Sequence, residues 1–378
     1  MPTFQRRILH VLDSLERGGI AAWLMTVLRN IPRDGFQMDF LVHTDKACAY
    51  DDEARALGAT IINCPGHRNF LSYASRFSRI MRECGPYDVV HGHCQRFTGL
   101  NLLLASRAGV PTRIAHSHND LRSLASSWRP ARRFYHCLMD RLIDRYATVG
   151  LAASRMAAED LFGDDWQSDP RWRILFCGID FTPFREEHDR SALGVELGLP
   201  DDSKVIVHVG RFTHQKNVPF ILEVFSHALK KDPRLRLIFV GDGPLEDITK
   251  EQVVRQKLAN EVTFLGSRPD VPRLLLGVAD LFLFPSLYEG LGLAFVEAQA
   301  AGVPCLVSAT IPEEADVVPT LVRRLSLSLP SSVWAEEALQ LLERERPVSR
   351  QQALALAERS PINVADSLKQ LEAVYCGS

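Results

Sequence analysis

Short β-branched, apolar runs alternate with segments of helical period along nearly the whole chain, and this alternation limits the fold more than any other feature. In the first half the strand-like runs are 6–12, 38–43, 59–63, 88–91, 112–116, 148–153 and 172–176. Helical stretches such as 20–30 and 70–83 lie between them. In the second half the runs are 204–209, 235–240, 262–265, 280–284 and 304–308. Strand–helix alternation at this spacing predicts α/β architecture: parallel sheets wrapped by helices. The alternation pauses once, at 178–203, which is polar, punctuated by Gly and Pro, and poorly periodic. That pause predicts two doubly wound domains, 1–185 and 200–359, with 186–199 as linker. The length of 378 residues fits two or three domains. Ligands of such sheets sit beyond the carboxyl ends of the strands, so two facing domains imply a cleft between them.

Charge excludes one class of partner. The chain carries 44 basic and 46 acidic residues, so no global field recruits nucleic acid. The balance hides an asymmetry: residues 1–185 hold 24 Lys and Arg against 19 Asp and Glu, the remainder 20 against 27. Of the 24, all but Lys46 are Arg. Eight cysteines without a CxxC pair read as reduced thiols of a cytoplasmic protein. No leader of signal-peptide type opens the chain. The most apolar stretch, 290–309, contains Glu297, Gln299 and Pro304 and is a poor membrane span. The expectation is a soluble protein, at most peripheral on a membrane surface.

Two stretches carry chemistry. In 284–297, FPSLYEGLGLAFVE, a strand ends at Pro285, a loop carries Glu289, and Gly290-Leu291-Gly292-Leu293 leads into a helix bearing Glu297. Glycines let backbone N–H groups approach an anion, and a helix start favours negative charge. Backbone for a phosphate and two carboxylates for sugar hydroxyls is one reading; a Gly-rich turn with a capping carboxylate is the other. In 207–217, VHVGRFTHQKN, a strand ends at Gly210 and is followed by Arg211 and Lys216. Two cations there suit a diphosphate, most of all one that gains charge as it leaves. The plain alternative is a pair of solvated cations.

VGRFTHQKN, VGDGP (240–244), FLGSRPDVP (264–272) and FPSLYEGLGLAFVEAQAAGVP (284–304) resemble the donor half of family-4 retaining glycosyltransferases of the GT-B fold. In that fold two Rossmann-like domains face each other. Glu289 and Glu297 match the family's E-x7-E motif. The likeness continues through LERGGIAAWLMTVLRN (15–30), DVVHGHCQ (88–95), RIAHSHND (113–120) and FCGID (176–180), and is greatest for the bacterial exopolysaccharide branch. It implies a first, acceptor-side domain completed by a returning helix at 360–378, and a second domain that binds a nucleotide diphosphate sugar, UDP favoured over GDP. Residue by residue, Arg211, Lys216 and the backbone of Gly290, Leu291, Gly292 and Leu293 would hold the diphosphate. Glu289 would hold the transferred sugar and Glu297 the ribose. Gly210 and Gly243 would form the loops around it, and 265–269, with Arg268, would pass the nucleobase. Gly18 and Gly19 would let backbone approach the reacting groups, and His116 would face the sugar. The implied catalytic set is His116, Arg211, Lys216 and Glu289. The implied reaction is metal-independent, with a front-face mechanism that needs no enzymic nucleophile, and no cofactor is expected. No Asp-x-Asp metal motif is present. The implied acceptor is a lipid-linked or growing surface glycan. Two departures stand out: Cys177 occupies the usual Asn position before Gly-Ile-Asp, and 309–314 replaces a Gly-Gly-x-x-Glu segment.

Two further features are open to a second use. His91, His93, His116 and His118 form two H-x-H patterns at strand ends; such clusters bind zinc, but no carboxylate stands at ligand spacing, which favours pocket-lining histidines. His208 and His214 read as structural or solvated. Residues 128–145 combine Trp128, Phe134, Tyr135, Leu138 and Leu142 with Arg129, Arg132, Arg133, Arg141 and Arg145. They suit an anionic membrane surface, or an ordinary helix whose arginines pair with Asp140 and Asp144. Two rival functions remain: a nucleotide-sugar 2-epimerase-like isomerase, which would convert donor without acceptor, and a non-catalytic nucleotide-sugar binding protein.

Overall fold

The computed structural model describes residues 5–66, 69–122 and 130–377 and divides into two units. The first comprises 1–178 and 364–378, the second 179–363. The first holds seven strands: β1 (Arg6–Leu12), β2 (Phe36–Val42), β3 (Ile61–Asn63), β4 (Val89–Gly92), β5 (Thr112–Ser117), β6 (Val149–Ala152) and β7 (Trp172–Ile174). All are parallel, in the order β3-β2-β1-β4-β5-β6-β7. The second holds β8 (Lys204–Val209), β9 (Leu235–Val240), β10 (Val262–Phe264), β11 (Leu281–Phe284), β12 (Cys305–Ser308) and β13 (Val322–Leu325). These are also parallel, in the order β10-β9-β8-β11-β12-β13. A parallel sheet is covered on both faces, so its strands are apolar without alternation. β4, β11 and β12 are buried at every residue.

In each sheet the strand order reverses beside the first strand, between β1 and β4 and between β8 and β11. Chains leaving two such neighbours diverge and open a crevice beyond their carboxyl ends. The stretches 210–217 and 285–292 emerge at the second of these points.

The residues read as a linker, 186–199, are part of the second unit. A helix, Arg190–Glu196, is anchored there by Leu193, which is buried, and by the Arg190 guanidinium, which bonds both oxygens of Asp280 at 3.0 and 2.7 Å. The unit boundary lies earlier, at Gly178, where the last helix, Val364–Cys376, rejoins the first unit. Gly178 has no room for a side chain: a Cβ there would lie 2.6 Å from Ser367 Cβ and 2.8 Å from Val364 Cα. The strand β13 was not anticipated.

Candidate functional site

The carboxyl ends of β8 and β11 carry two loops joined by side chain and backbone. Gln215 Nε2 donates to the Tyr288 carbonyl at 2.9 Å, Leu287 N–H donates to the Gln215 carbonyl at 2.8 Å, and Asn217 Nδ2 donates to the Pro285 carbonyl at 3.3 Å. Asn217 takes a left-handed conformation to start the helix Val218–Leu229. That turn brings Lys216 Nζ to 2.6 Å from Glu289 Oε1, with Glu289 only 6% exposed. The ammonium also lies 4.4 Å from the centroid of the Phe284 ring. The structure therefore joins two residues read as contacting separate parts of a ligand. Arg211 is exposed and makes no ion pair among the described residues.

Gly292, at φ 88°, starts the helix Leu293–Ala300, and no side chain caps it. The Phe295 N–H bonds the Gly292 carbonyl at 2.9 Å, which leaves the Leu293 and Ala294 N–H groups ahead of it for an anion. Glu297 lies on this helix, half-buried; burial pushes its carboxyl up to about 7. Gly243, at φ 150°, is a packing necessity: a Cβ would come within 2.7 Å of the Phe212 backbone. Arg268 holds both oxygens of Asp270 at 2.7 Å and approaches Glu196 at 3.7 Å, so its guanidinium braces its own loop. His208 donates from Nδ1 to the Leu283 carbonyl at 2.9 Å, and burial holds it neutral, its pKa lowered to about 3. His214 is exposed.

Gly18, Gly19 and His116 belong to the first unit. Gly18 precedes the helix Gly19–Asn30, whose Trp23 packs its ring edge on the His116 ring at 5.1 Å. His116 is fully buried and ends a chain of seven hydrogen-bonding groups. Cys177 Sγ lies 3.6 Å from His118 Nδ1; His118 Nε2 lies 2.8 Å from His93 Nδ1; His93 Nε2 lies 3.0 Å from His10 Nδ1. His10 Nε2 lies 3.4 Å from the Tyr375 hydroxyl, which is 3.0 Å from His91 Nδ1; His91 Nε2 then lies 3.1 Å from His116 Nδ1. His116 Nε2 is buried and makes no further side-chain hydrogen bond among the described residues. Each neutral imidazole has one donor and one acceptor nitrogen, so the links polarise one another in a single direction. The two H-x-H patterns thus line a common interior, as strand alternation requires. His10 and Tyr375 escaped sequence reasoning. His10 pairs with His91 across β1 and β4, a register that only the sheet order reveals.

Burial keeps these imidazoles neutral: His10 and His118 are lowered to about 3, and His91, His93 and His116 well below their usual value.

Helix Pro130–Tyr146 covers most of the stretch read as basic and amphipathic; Trp128 and Arg129 lie outside the described residues. Phe134 is 73% exposed and Leu138 is exposed. Its acids are taken by cations from elsewhere, Asp140 by Arg96 at 3.0 Å and Asp144 by Arg171 at 2.9 Å. Arg133, Arg141 and Arg145 are exposed and make no ion pair among the described residues. Beside them lie the exposed Phe70 and Leu71, with Phe70 stacked on Tyr135. Among the described residues no helix is long and apolar enough to cross a membrane.

Two family descriptions match the chain: "Glycosyl transferase 4-like domain" over residues 18–174 and "Glycosyl transferases group 1" over 189–355. The chain is 37% identical over 352 residues to EpsF of Bacillus subtilis (strain 168), named as a glycosyltransferase, covering 92% of this chain and 90% of that one. It is 28% identical over 265 residues to an Escherichia coli UDP-Gal:alpha-D-GlcNAc-diphosphoundecaprenol alpha-1,3-galactosyltransferase, covering 68% and 67%. Among solved structures, Anabaena HepE in complex with UDP and glucose superposes with a TM-score of 0.82 at 18% identity, covering 99% of this chain and all of that one. WaaG, a glycosyltransferase involved in lipopolysaccharide biosynthesis, gives 0.78 at 17%, covering 98% and 100%.

The neutral histidines make stability depend on pH. Unfolded, each takes up a proton near pH 6.5, whereas folded it does not. The stability they contribute is therefore present above pH 6.5 and is lost as pH falls, about 1 kcal/mol per pH unit for each histidine. Calorimetric unfolding between pH 7.5 and 5 should show the transition carrying the first unit dropping steeply below pH 6.5. A midpoint flat across that range would contradict the neutral chain.

Proposed function

Since the chain belongs to the group 1 glycosyltransferases and has the GT-B fold, we propose that it is a retaining, metal-independent transferase. It takes a sugar from a nucleotide diphosphate sugar, UDP favoured, to a lipid-linked or growing surface glycan. The observation that carries this reading is the Lys216–Glu289 pair at the carboxyl end of β8 and β11, beside an uncapped helix start. An incoming diphosphate offers Lys216 and Arg211 a stronger partner than one carboxylate does, and the helix N–H groups complete its shell. Lys216 then turns to phosphate, and Glu289 is released to accept hydroxyls of the sugar. As the glycosidic bond breaks, charge gathers on the departing diphosphate, where both cations stabilise it. The leaving phosphate itself takes the acceptor's proton, so no enzymic nucleophile is used. Glu297, poised near 7, is the acceptor for a ribose diol. The bound UDP and glucose of HepE, and the UDP-Gal and diphosphoundecaprenol substrates of the E. coli relative, support the choice of donor and acceptor class.

Calorimetry should show UDP binding more tightly than GDP or ADP. Sugar transfer should fall roughly a hundredfold in Glu289→Ala, with Glu289→Gln as the variant that keeps a hydrogen bond to Lys216. Unchanged transfer in Glu289→Ala would move the donor site elsewhere. An NMR time course without acceptor should leave the donor sugar intact; its isomerisation would point to the epimerase.

Turnover after dialysis should not rise on adding Mg²⁺ or Mn²⁺. Activity that requires either ion would replace Arg211 and Lys216 as the source of charge neutralisation.

The helix Pro130–Tyr146, with Phe134, Leu138 and Arg133, Arg141 and Arg145, which make no ion pair among the described residues, is the proposed contact with an anionic membrane. Flotation with phosphatidylglycerol vesicles should show binding that phosphatidylcholine vesicles lack. Replacing the three arginines by Gln should weaken it about a hundredfold, at about 1 kcal/mol per Arg. Failure to float with either lipid would end the idea.

A further inference from the structure

The first sheet has its own crevice, where the chain leaves β1 and β4 in diverging directions. Three side chains with metal-binding atoms meet there. Asp13 directly follows β1, His43 directly follows β2, and Cys94 lies two residues past β4. His43 Nδ1 is 3.2 Å from Asp13 Oδ1 and 3.9 Å from Cys94 Sγ, and the three ligand atoms all lie within 4.8 Å of one another. A tetrahedral zinc ion, about 2.0–2.1 Å from N and O and about 2.3 Å from S, sets N–O and N–S edges of about 3.3 and 3.6 Å. The two observed edges at His43 Nδ1 are each a few tenths of an ångström away.

The far side of the imidazole is already held. Tyr73 donates its hydroxyl proton to Asn101 Oδ1 at 2.7 Å, so its oxygen accepts from His43 Nε2–H at 3.0 Å. With Nε2–H bonded in this way, Nδ1 is the nitrogen that can present a lone pair to a metal, and it faces a carboxylate and a sulfur. Three electron-pair donors turned toward one another, with the histidine's tautomer fixed from behind, form the inner and outer shells of a metal site. The donor set separates this place from the other histidine cluster. His93, His116 and His118 also come within 4.8 Å of one another, but they are uncharged, buried, and already bonded to each other or to His10, His91 and Cys177. A thiolate and a carboxylate instead cancel a dication's charge. Cys94 is half-buried and the Asp13 side chain is 82% exposed, so an ion can enter from solvent.

We propose that Asp13, His43 and Cys94 form a zinc site at the crevice of the first sheet, its fourth position open to water or to an oxygen of a bound molecule. On binding, the Cys94 thiol gives its proton to solvent and the thiolate bonds the metal. The site lies in the first unit, whereas Arg211 and Lys216 lie in the second.

The test uses cobalt(II) as a spectroscopic probe on the full chain after dialysis against chelator. One equivalent should bind with a thiolate-to-cobalt charge-transfer band, and zinc should displace it. Cys94→Ser should abolish the band, Asp13→Asn should weaken binding at least about tenfold, and Tyr73→Phe about 10- to 100-fold. Asp13→Asn changes an exposed side chain, so its melting curve should match that of the parent and keep the result interpretable. No band, a band that survives Cys94→Ser, or affinity indifferent to Asp13→Asn would each overturn the site and leave a histidine–carboxylate pair only. Absorbance is read without donor or acceptor, so failure here leaves the transferase reading untouched.

Discussion

Lys216 and Glu289 are held 2.6 Å apart in a largely buried contact, and the two loops that serve the crevice of the second sheet are organised around it. Such a pair is expensive to desolvate, and removing one partner leaves an uncompensated charge at a cost of about 3–5 kcal/mol. The surroundings meet that cost with geometry: the Phe284 ring lies against the ammonium, and hydrogen bonds from Gln215, Asn217 and Leu287 fix the backbone on both sides. The glycines serve the same end, since the 210–212 and 241–243 segments approach so closely that Gly241 and Gly243 admit no Cβ. The site is thus a rigid frame around one polar contact that a stronger anion can rearrange.

The two units handle buried polarity differently. The second keeps a charged pair at its crevice. The first lines the strand ends of its sheet with uncharged imidazoles joined by hydrogen bonds from Cys177 to His116, and holds buried charge elsewhere, as in Arg96 and Asp160 at 3.1 Å. That arrangement explains why Cys177 sits before Gly-Ile-Asp: its thiol is the partner of His118 Nδ1, and its effect is on the interior of the first unit.

The strands were legible where burial is continuous. Runs 204–209 and 235–240 coincide with β8 and β9, whose apolar stretches leave little choice. β13 was hidden because its VRRL carries two arginines, each paired with an acid: Arg323 with Glu337 and Arg324 with Asp316. It is an edge strand, and edges tolerate charge. The helix at 190–196 was hidden by the same kind of pairing, since Arg190 looks like linker polarity until Asp280 is set beside it. Among site residues, the spacing of Lys216 and Glu289 marked both as polar loop residues at strand ends. Their contact spans 73 residues and depends on β8 and β11 being neighbours, which is a property of strand order. Tyr375 is further still from legibility, because it reaches His10 only through the return of the last helix to the first unit.

The acidic balance of residues 186–378 does not by itself set the potential at the crevice, because of the same pairing. Many of their cations are committed within the second unit: Arg190 to Asp280, Arg234 to Asp232, Arg268 to Asp270, Arg273 to Glu196, Arg323 to Glu337 and Arg324 to Asp316. Pairs of this kind cancel locally and project little field beyond a Debye length of roughly 10 Å. The potential at the β8–β11 crevice is then set by what stands there uncommitted, namely the exposed Arg211 and the helix start at Gly292, with Lys216 released when its carboxylate is displaced. A negative total is therefore compatible with an anion site. What matters is which cations already have a partner, and that is a property of packing that a sum over the sequence does not contain.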